Sequence, residues 1–390
     1  MIYKRVSAFV LTLFLCLNVT YGVAFAATQT TQPPAPTQPV LLKTKSAILI
    51  EQTTGKVLFE SNPHEKLAPA SVTKIMTEIL VLEAIENKQI SMNDKVTCSE
   101  HAASMGGSDI WLEPNEVMTV RDLFKAMAIN SANDAAVALA EKVSGTEQAF
   151  VNLMNARAKE LGMNDTNFVN ANGLDAEGHV TSAYDVAIMS KELLKHQQIF
   201  AYCTVWMDTL RDGKTALYNT NKLIRFYNGA NGLKTGSTGT AGYCISASAL
   251  RSNMQLIAVV MGCDSSDNRF NTAKNLLDYG FTNWAAATPK LVTQSMQVRV
   301  IKGIKQSVEA IPCENKMVIV DKGKEKKIEQ KISLVTDVLA PVDNGQILGQ
   351  ITLWVEGKNV GIIPLIAKEQ VAKITFSWSF YNLFKGFVCG

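Results

Sequence analysis

Residues 46–60 (SAILIEQTTGKVLFE) place two apolar runs on either side of Thr53-Thr54-Gly55, which predicts a β-hairpin. Residues 71–86 (SVTKIMTEILVLEAIE) follow Pro69 and carry Ile75, Met76, Ile79, Leu80 and Leu82 around most of a helical circumference. That pattern predicts a buried helix. Residues 120–130 and 134–143 read as two more helices, broken at Asn130-Ser131-Ala132-Asn133. Ser182-Ala183-Tyr184-Asp185 resembles a capping box that opens another helix. Residues 232–249 and 254–263 read as two strands joined by a turn around Arg251-Ser252-Asn253, and a helix is expected near 268–279.

The pattern changes after about residue 290. As far as residue 366 the chain is a series of short Val/Ile-rich runs separated by Gly, Asn and Asp: Gln297–Ile301, Met317–Val320, Ile332–Val335 and Ile351–Val355. A separate, mostly β domain is expected there. The basic run 322–327 (KGKEKK) reads as a solvated turn.

Both ends are distinctive. Residues 1–26 combine Lys4 and Arg5, an apolar run from Val6 to Val19 and Ala24-Phe25-Ala26, the pattern of a cleaved secretion signal. Thr28 to Pro39 (TQTTQPPAPTQP) has no core-forming residue and reads as a flexible tether. At the far end, residues 373–388 place Phe376, Phe380, Leu383 and Phe387 on one line of a helix, with Thr375, Ser379, Asn382 and Gly386 opposite. Such a helix is short for a membrane span but suits the headgroup plane. The same residues also alternate as a strand would, through Phe376, Trp378 and Phe380.

Composition narrows the function. The chain has 390 residues, 47% hydrophobic and 19% charged, which excludes a mostly disordered protein. With 38 basic and 35 acidic residues there is no basic excess of the kind nucleic acid demands. Seven Cys with no C-x-x-C pair exclude a disulfide scaffold, a zinc ribbon and a thioredoxin-type motif, and the spacings do not fix any pairing. The four His (64, 101, 179 and 196) form no H-E-x-x-H. No metal or organic cofactor is expected.

Three short motifs carry candidate chemistry. In Ser71-Val72-Thr73-Lys74 the hydroxyl and amine are three residues apart, so a helix brings them to one face. A serine hydroxyl attacks only when a neighbour takes its proton, and a lysine of depressed pKa is able to do so. Ser131-Ala132-Asn133 falls in the break between two helices, where short polar side chains either point into a cleft or simply cap a helix. Lys234-Thr235-Gly236, followed by Ser237, opens a strand; Gly236 permits close approach, while Lys234 and Thr235 offer a cation and a hydroxyl to a carboxylate. Each motif is common alone. In this order, with 60 and then 103 residues between first members, they form the set of penicillin-binding proteins and class A β-lactamases, with Ala132 replacing the usual Asp of the middle motif.

Here the sequence resembles the serine-type D-alanyl-D-alanine carboxypeptidases, the low-molecular-mass penicillin-binding proteins. Residues 45–75 resemble that family's opening hairpin and active-site helix, and 232–249 (GLKTGSTGTAGYCISASA) its active-site strand. The resemblance spans about 45–388. It implies an α+β fold: a penicillin-binding/β-lactamase-like catalytic domain with an antiparallel sheet flanked by helices, then a small all-β domain and a C-terminal amphipathic helix. The expected boundaries are 1–26 signal peptide, 27–40 tether, 41–288 catalytic domain, 289–367 β-rich domain and 368–390 membrane-surface helix. The resemblance further implies Ser71 as acylated nucleophile, Lys74 as general base and Ser131 as proton relay. Asn133, Lys234, Thr235, Gly236 and Ser237 would bind substrate, with the backbone N–H groups of Ser71 and Ser237 as the oxyanion hole and Arg269 as a carboxylate partner. The expected substrates are peptidoglycan stem peptides ending in D-Ala-D-Ala, with β-lactams as covalent inhibitors. The expected location is outside the cytoplasmic membrane, attached to its outer face.

The rival readings are a β-lactamase and a non-enzymatic cell-envelope binding protein. The β-rich domain, the terminal helix and Ala132 speak against the first, and the presence of every reactive side chain against the second.

Overall fold

The computed structural model describes residues 43–292 and 295–380. The expected signal peptide and tether, and residues 381–390 of the expected terminal helix, lie outside them. The predicted hairpin forms from β1 (Ser46–Glu51) and β2 (Val57–Ser61). It is one edge of a five-stranded antiparallel sheet completed by β3 (Ala230–Thr238), β4 (Gly242–Arg251) and β5 (Met254–Cys263), in the order β2-β1-β5-β4-β3.

Every residue of β1 is buried, because the sheet is covered on both faces. Strand periodicity sends Ile48 and Ile50 to one core and Ala47 and Leu49 to the other. β5 divides its residues likewise: Ile257, Val259 and Met261 on one side, Leu256, Ala258 and Val260 on the other. The first face carries α1 (Lys74–Glu86), α2 (Val120–Asn130), α3 (Asn133–Ser144), α4 (Glu147–Glu160) and α5 (Ala183–Leu193). The second face carries α6 (Ser266–Asn283). α1 is buried nearly all round, as its apolar circumference requires, and packs among α2, α3 and α5.

Local chemistry explains several boundaries. Thr119, Thr146, Ser182 and Ser265 each accept a backbone N–H three residues on, so each caps its helix. At Ser182 the reciprocal half of the capping box is missing. The Asp185 carboxylate accepts from Asp165 N and Thr166 Oγ1 instead. Residues 232–249 are two strands rather than the one expected, reversed at Gly239-Thr240-Ala241. Gly242 closes that reversal at φ +64°, and a β-carbon there would stand 2.6 Å from the Cys263 carbonyl oxygen. The helix of 71–86 also divides: Ala70–Thr73 is a 3₁₀ turn, and α-helix begins at Lys74.

The second domain is a six-stranded sheet with its own core, including Val298, Val308, Leu353, Ile363 and Leu365. It is tied to the first domain by an antiparallel ladder between Trp284–Ala287 and Val318–Asp321, and by Lys56 Nζ donating to the Ile319 carbonyl at 2.9 Å. The β fold continues past 367, since Val371 is fully buried and bridges to Val342. Helix begins at Phe376, after Thr375 accepts the Trp378 N–H through its hydroxyl. No helix among the described residues is long and apolar enough to cross a membrane.

Candidate active site

The 3₁₀ turn delivers Ser71 half-buried at the start of α1, with Lys74 fully buried one turn on. Lys74 Nζ lies 2.9 Å from Ser71 Oγ, 2.5 Å from Asn133 Oδ1 and 2.6 Å from the Asn172 carbonyl oxygen. An uncharged amine has two N–H bonds and one lone pair. With two amide oxygens taking the N–H bonds, the lone pair remains for the Ser71 hydroxyl. Burial, reinforced by the Lys234 ammonium, holds the Lys74 pKa well below its ordinary value, while Glu78 and Asp134 oppose the shift. The seryl–lysyl pair thus has the geometry that a nucleophile and its base require, and burial favours the uncharged amine.

Asn133 is fixed from its other end, where Nδ2 donates to the Gly106 carbonyl at 2.6 Å. Its backbone N–H donates to the Ser108 carbonyl. Helix capping does not account for the Ser131-Ala132-Asn133 motif: the cap position of α3 is Ala132, and the Asn133 side chain serves the site. Ser131 terminates α2 in the left-handed region at φ +64°. Its hydroxyl is buried and makes no hydrogen bond among the described residues. An orphaned hydroxyl held in an uncommon backbone conformation is the kind of feature that collects at functional sites.

β3 supplies the opposite wall. A β-carbon on Gly236 would fall 2.8 Å from the Ser71 backbone nitrogen and 3.0 Å from that of Val72, so only glycine lets the strand pass this close. Lys234 is fully buried and donates to the Thr235 carbonyl at 3.2 Å. Burial and the Arg269 charge lower its pKa to about 8 against the opposing pull of Glu78. Thr235 Oγ1 donates to Thr220 Oγ1, and Ser237 is exposed at the rim. Arg269 is not the surface arginine that its place near a helix start allows. It is buried on α6, with Nη1 donating to the carbonyls of Gly236 at 3.0 Å and Cys244 at 3.3 Å, and it braces β3 from behind.

Several residues of the site lie outside the motifs. Gly106, Asn172, Gly173, Thr220 and His179 all touch motif residues or the turn that bears them. His179 accepts the Val169 N–H at Nδ1 and so carries its proton on Nε2, which donates to Thr73 Oγ1 at 2.8 Å. Burial pushes its pKa down to about 4, with Asp175 opposing. Cys98, Cys203, Cys244 and Cys263 are buried free thiols, and Cys313 is an exposed one. A polar depression of about 600 Å³ between the Val117–Thr119 strand and the Met207–Tyr218 hairpin contains none of the motif residues.

Residues 28–265 match the family described as D-alanyl-D-alanine carboxypeptidase, and 288–373 match the C-terminal domain of penicillin-binding protein 5. The chain is 46% identical over 337 residues to the D-alanyl-D-alanine carboxypeptidase DacF of Bacillus subtilis, covering 85% of this chain and 87% of that protein. The chain belongs to the D-alanyl-D-alanine carboxypeptidase family. Within that family it is also 37% identical to DacC of Escherichia coli, over 89% of this chain and 88% of that one. Its structure resembles penicillin-binding protein 5 of Haemophilus influenzae with a TM-score of 0.81 at 30% identity, covering 87% of this chain and all of the other. It also resembles penicillin-binding protein D2 of Listeria monocytogenes, solved with ampicillin bound, with a TM-score of 0.58 at 32% identity, over 63% of this chain and all of the other. The expected fold class, a carboxypeptidase catalytic domain followed by an all-β domain, agrees with both family matches.

Proposed function

We propose that this carboxypeptidase removes the terminal D-alanine from peptidoglycan stem peptides through an acyl-enzyme on Ser71. The observation that carries this reading is the Lys74 amine, 2.9 Å from Ser71 Oγ with its two N–H bonds committed elsewhere. Ser71 Oγ attacks the carbonyl between the two D-alanines, and its proton passes to Lys74. The oxyanion is held by the backbone N–H groups of Ser71 and Ser237. Lys234, Thr235 and Arg269 draw the terminal carboxylate toward Gly236, and Asn133 holds Lys74 and the peptide. The C–N bond breaks as Ser131 relays a proton to the departing D-alanine amine. Water then hydrolyses the ester, and Lys74 again takes the proton. A β-lactam acylates the same oxygen and leaves slowly.

Mass spectrometry of the penicillin-treated protein tests this. The expected adduct is one penicilloyl group on Ser71, absent from Ser71→Ala, together with release of D-alanine from a D-Ala-D-Ala peptide by the wild type. An adduct on another residue, or equal labelling of Ser71→Ala, overturns the assignment. Fast penicillin turnover with no action on the peptide would favour a β-lactamase.

The same proposal places the enzyme outside the cytoplasmic membrane, exported by residues 1–26 and held at the membrane surface by the helix that begins at Phe376. Phe376 and Phe380 are stacked at 6.1 Å, and Phe376 is 85% exposed, an apolar face suited to the interface. Deleting residues 373–390 is expected to release active enzyme from membranes; continued membrane association of the truncated, signal-cleaved protein overturns the anchor.

A further inference from the structure

Glu78 is a buried carboxyl with no part in the reaction above. It lies on α1 one turn beyond Lys74 and is 3% exposed. At that depth a carboxylate ordinarily ends in an ion pair or a set of hydrogen bonds. Among the described residues Glu78 has no hydrogen bond and no direct ion-pair contact, so the charges around it act on it through space. The charged groups that face it are the amines of Lys74, on its own helix, and Lys234, on β3, and Lys234 exerts the larger pull. The Cys203 thiol is a further neighbour. Beyond these, Arg269 acts on Lys234 and Asp134 on Lys74.

Two amines buried in one site repel each other when both are charged; Asp134 is taken up by the backbone N–H groups of Ile110, Leu112 and Ala135, which leaves Glu78 to compensate one of them. The hydrogen bonds indicate which. Lys74 has two carbonyl acceptors and a third contact, Ser71, that needs a lone pair. Among the described residues Lys234 donates only to the Thr235 carbonyl, which leaves its remaining N–H bonds for a substrate carboxylate. We propose that Glu78 is the counter-ion of Lys234, a positioning residue that keeps the β3 ammonium charged while Lys74, one helical turn away, remains an uncharged base. The inference rests on the acyl-transfer reading above. It accords with the lowering of Lys234 to about 8 and the raising of Glu78 to about 7, both caused first by burial.

The test is the pH profile of kcat/KM on a D-Ala-D-Ala peptide and of penicillin acylation. The alkaline limb reports loss of the Lys234 proton. In Glu78→Gln that limb is expected to move to lower pH by about one unit, because the charge that retains the proton is gone. The acid limb moves less, since the Glu78 carboxyl is already protonated over much of it. Glu78→Asp, which keeps the charge, is expected to return the alkaline limb toward the wild-type position. A folded Gln variant whose alkaline limb coincides with wild type, or whose rate falls equally at every pH, overturns the proposal. If Gln does not fold, Glu78→Met reads the same limb with an uncharged side chain of similar volume. Ser71→Ala separates the two readings: labelling that survives in it refutes the nucleophile, whereas an unmoved limb in a Glu78 variant that still labels Ser71 refutes only the counter-ion.

Discussion

Gly173 lies against the carbonyl of Ala70, the residue that precedes Ser71; a β-carbon on Gly173 would stand 1.9 Å from that oxygen. Gly173 is also in the left-handed region at φ +88°, so both its space and its backbone exclude a side chain. Gly173→Ala is expected to push the Ala70–Thr73 turn away from β3 and to slow penicillin acylation by about 100-fold, the usual scale for a misplacement near 1 Å. Stopped-flow acylation kinetics measure it, and an unchanged rate would show that the turn is held by other contacts.

Asn133→Asp keeps the shape of the side chain and places a carboxylate beside the Lys74 amine. The ammonium form is then stabilised, so Lys74 holds its proton to higher pH. The expected result is a loss of activity at neutral pH, partly restored on raising the pH, with the acid limb of kcat/KM displaced upward. Asn133→Ala is expected to lose activity without that displacement.

The wild-type profile should be a bell. On the proposed mechanism Lys74, held well below its ordinary pKa by burial, would act only as the free amine, so activity would fall as acid protonates it. Burial brings Lys234 down to about 8, so on the same mechanism activity would fall again as base removes that charge. Rates on a D-Ala-D-Ala peptide between pH 5 and 10 check both limbs.

His179 makes stability depend on acid. Its folded pKa of about 4 lies below the ordinary 6.5, so the unfolded chain binds more protons between those values. The folded state therefore has its full stability above pH 6.5 and loses it as pH falls toward 4, by about 3 kcal/mol at the lower end. Thermal melting at pH 4.5 and 7 measures the slope, which should flatten in His179→Gln. Because Thr73 is its partner, the same variant is expected to slow acylation modestly at pH 7.

Arg269→Ala removes donors to the Gly236 and Cys244 carbonyls and leaves two buried acceptors short of a partner, at about 1–3 kcal/mol. A lower melting temperature is expected, with a higher KM for peptides that end in a carboxylate. Equal losses on a carboxylate-free ester substrate would assign Arg269 to bracing alone.

What the sequence discloses about the site is what short spacing encodes. Three residues from Ser71 to Lys74 suffice to predict a shared helix face, and their separation is 2.9 Å. The contacts from Lys74 to Asn133 and Asn172 span 59 and 98 residues, and only the first has a motif to announce it. Gly173 matters through the backbone that passes beside it, Gly106 through its carbonyl, and Thr220 through a hydroxyl that no motif announces. Glu78 reads as one of three glutamates on α1; that it is the buried one, with the Lys234 charge near it, is a result of tertiary packing. The reversal inside 232–249 is hard to read because Thr238 and Thr240, which suit a strand, stand within it, and no Pro, Asn or Asp marks the turn.

The ladder that joins Trp284–Ala287 to Val318–Asp321 works as a splint between the catalytic unit and the sheet behind it. A protein held at the membrane by its tail, as proposed above, would then carry its catalytic unit at a height set by the β domain. Which wall peptides it trims would be set by how far they hang from the glycan mesh, and shortening the β domain would change the clientele while leaving the chemistry intact.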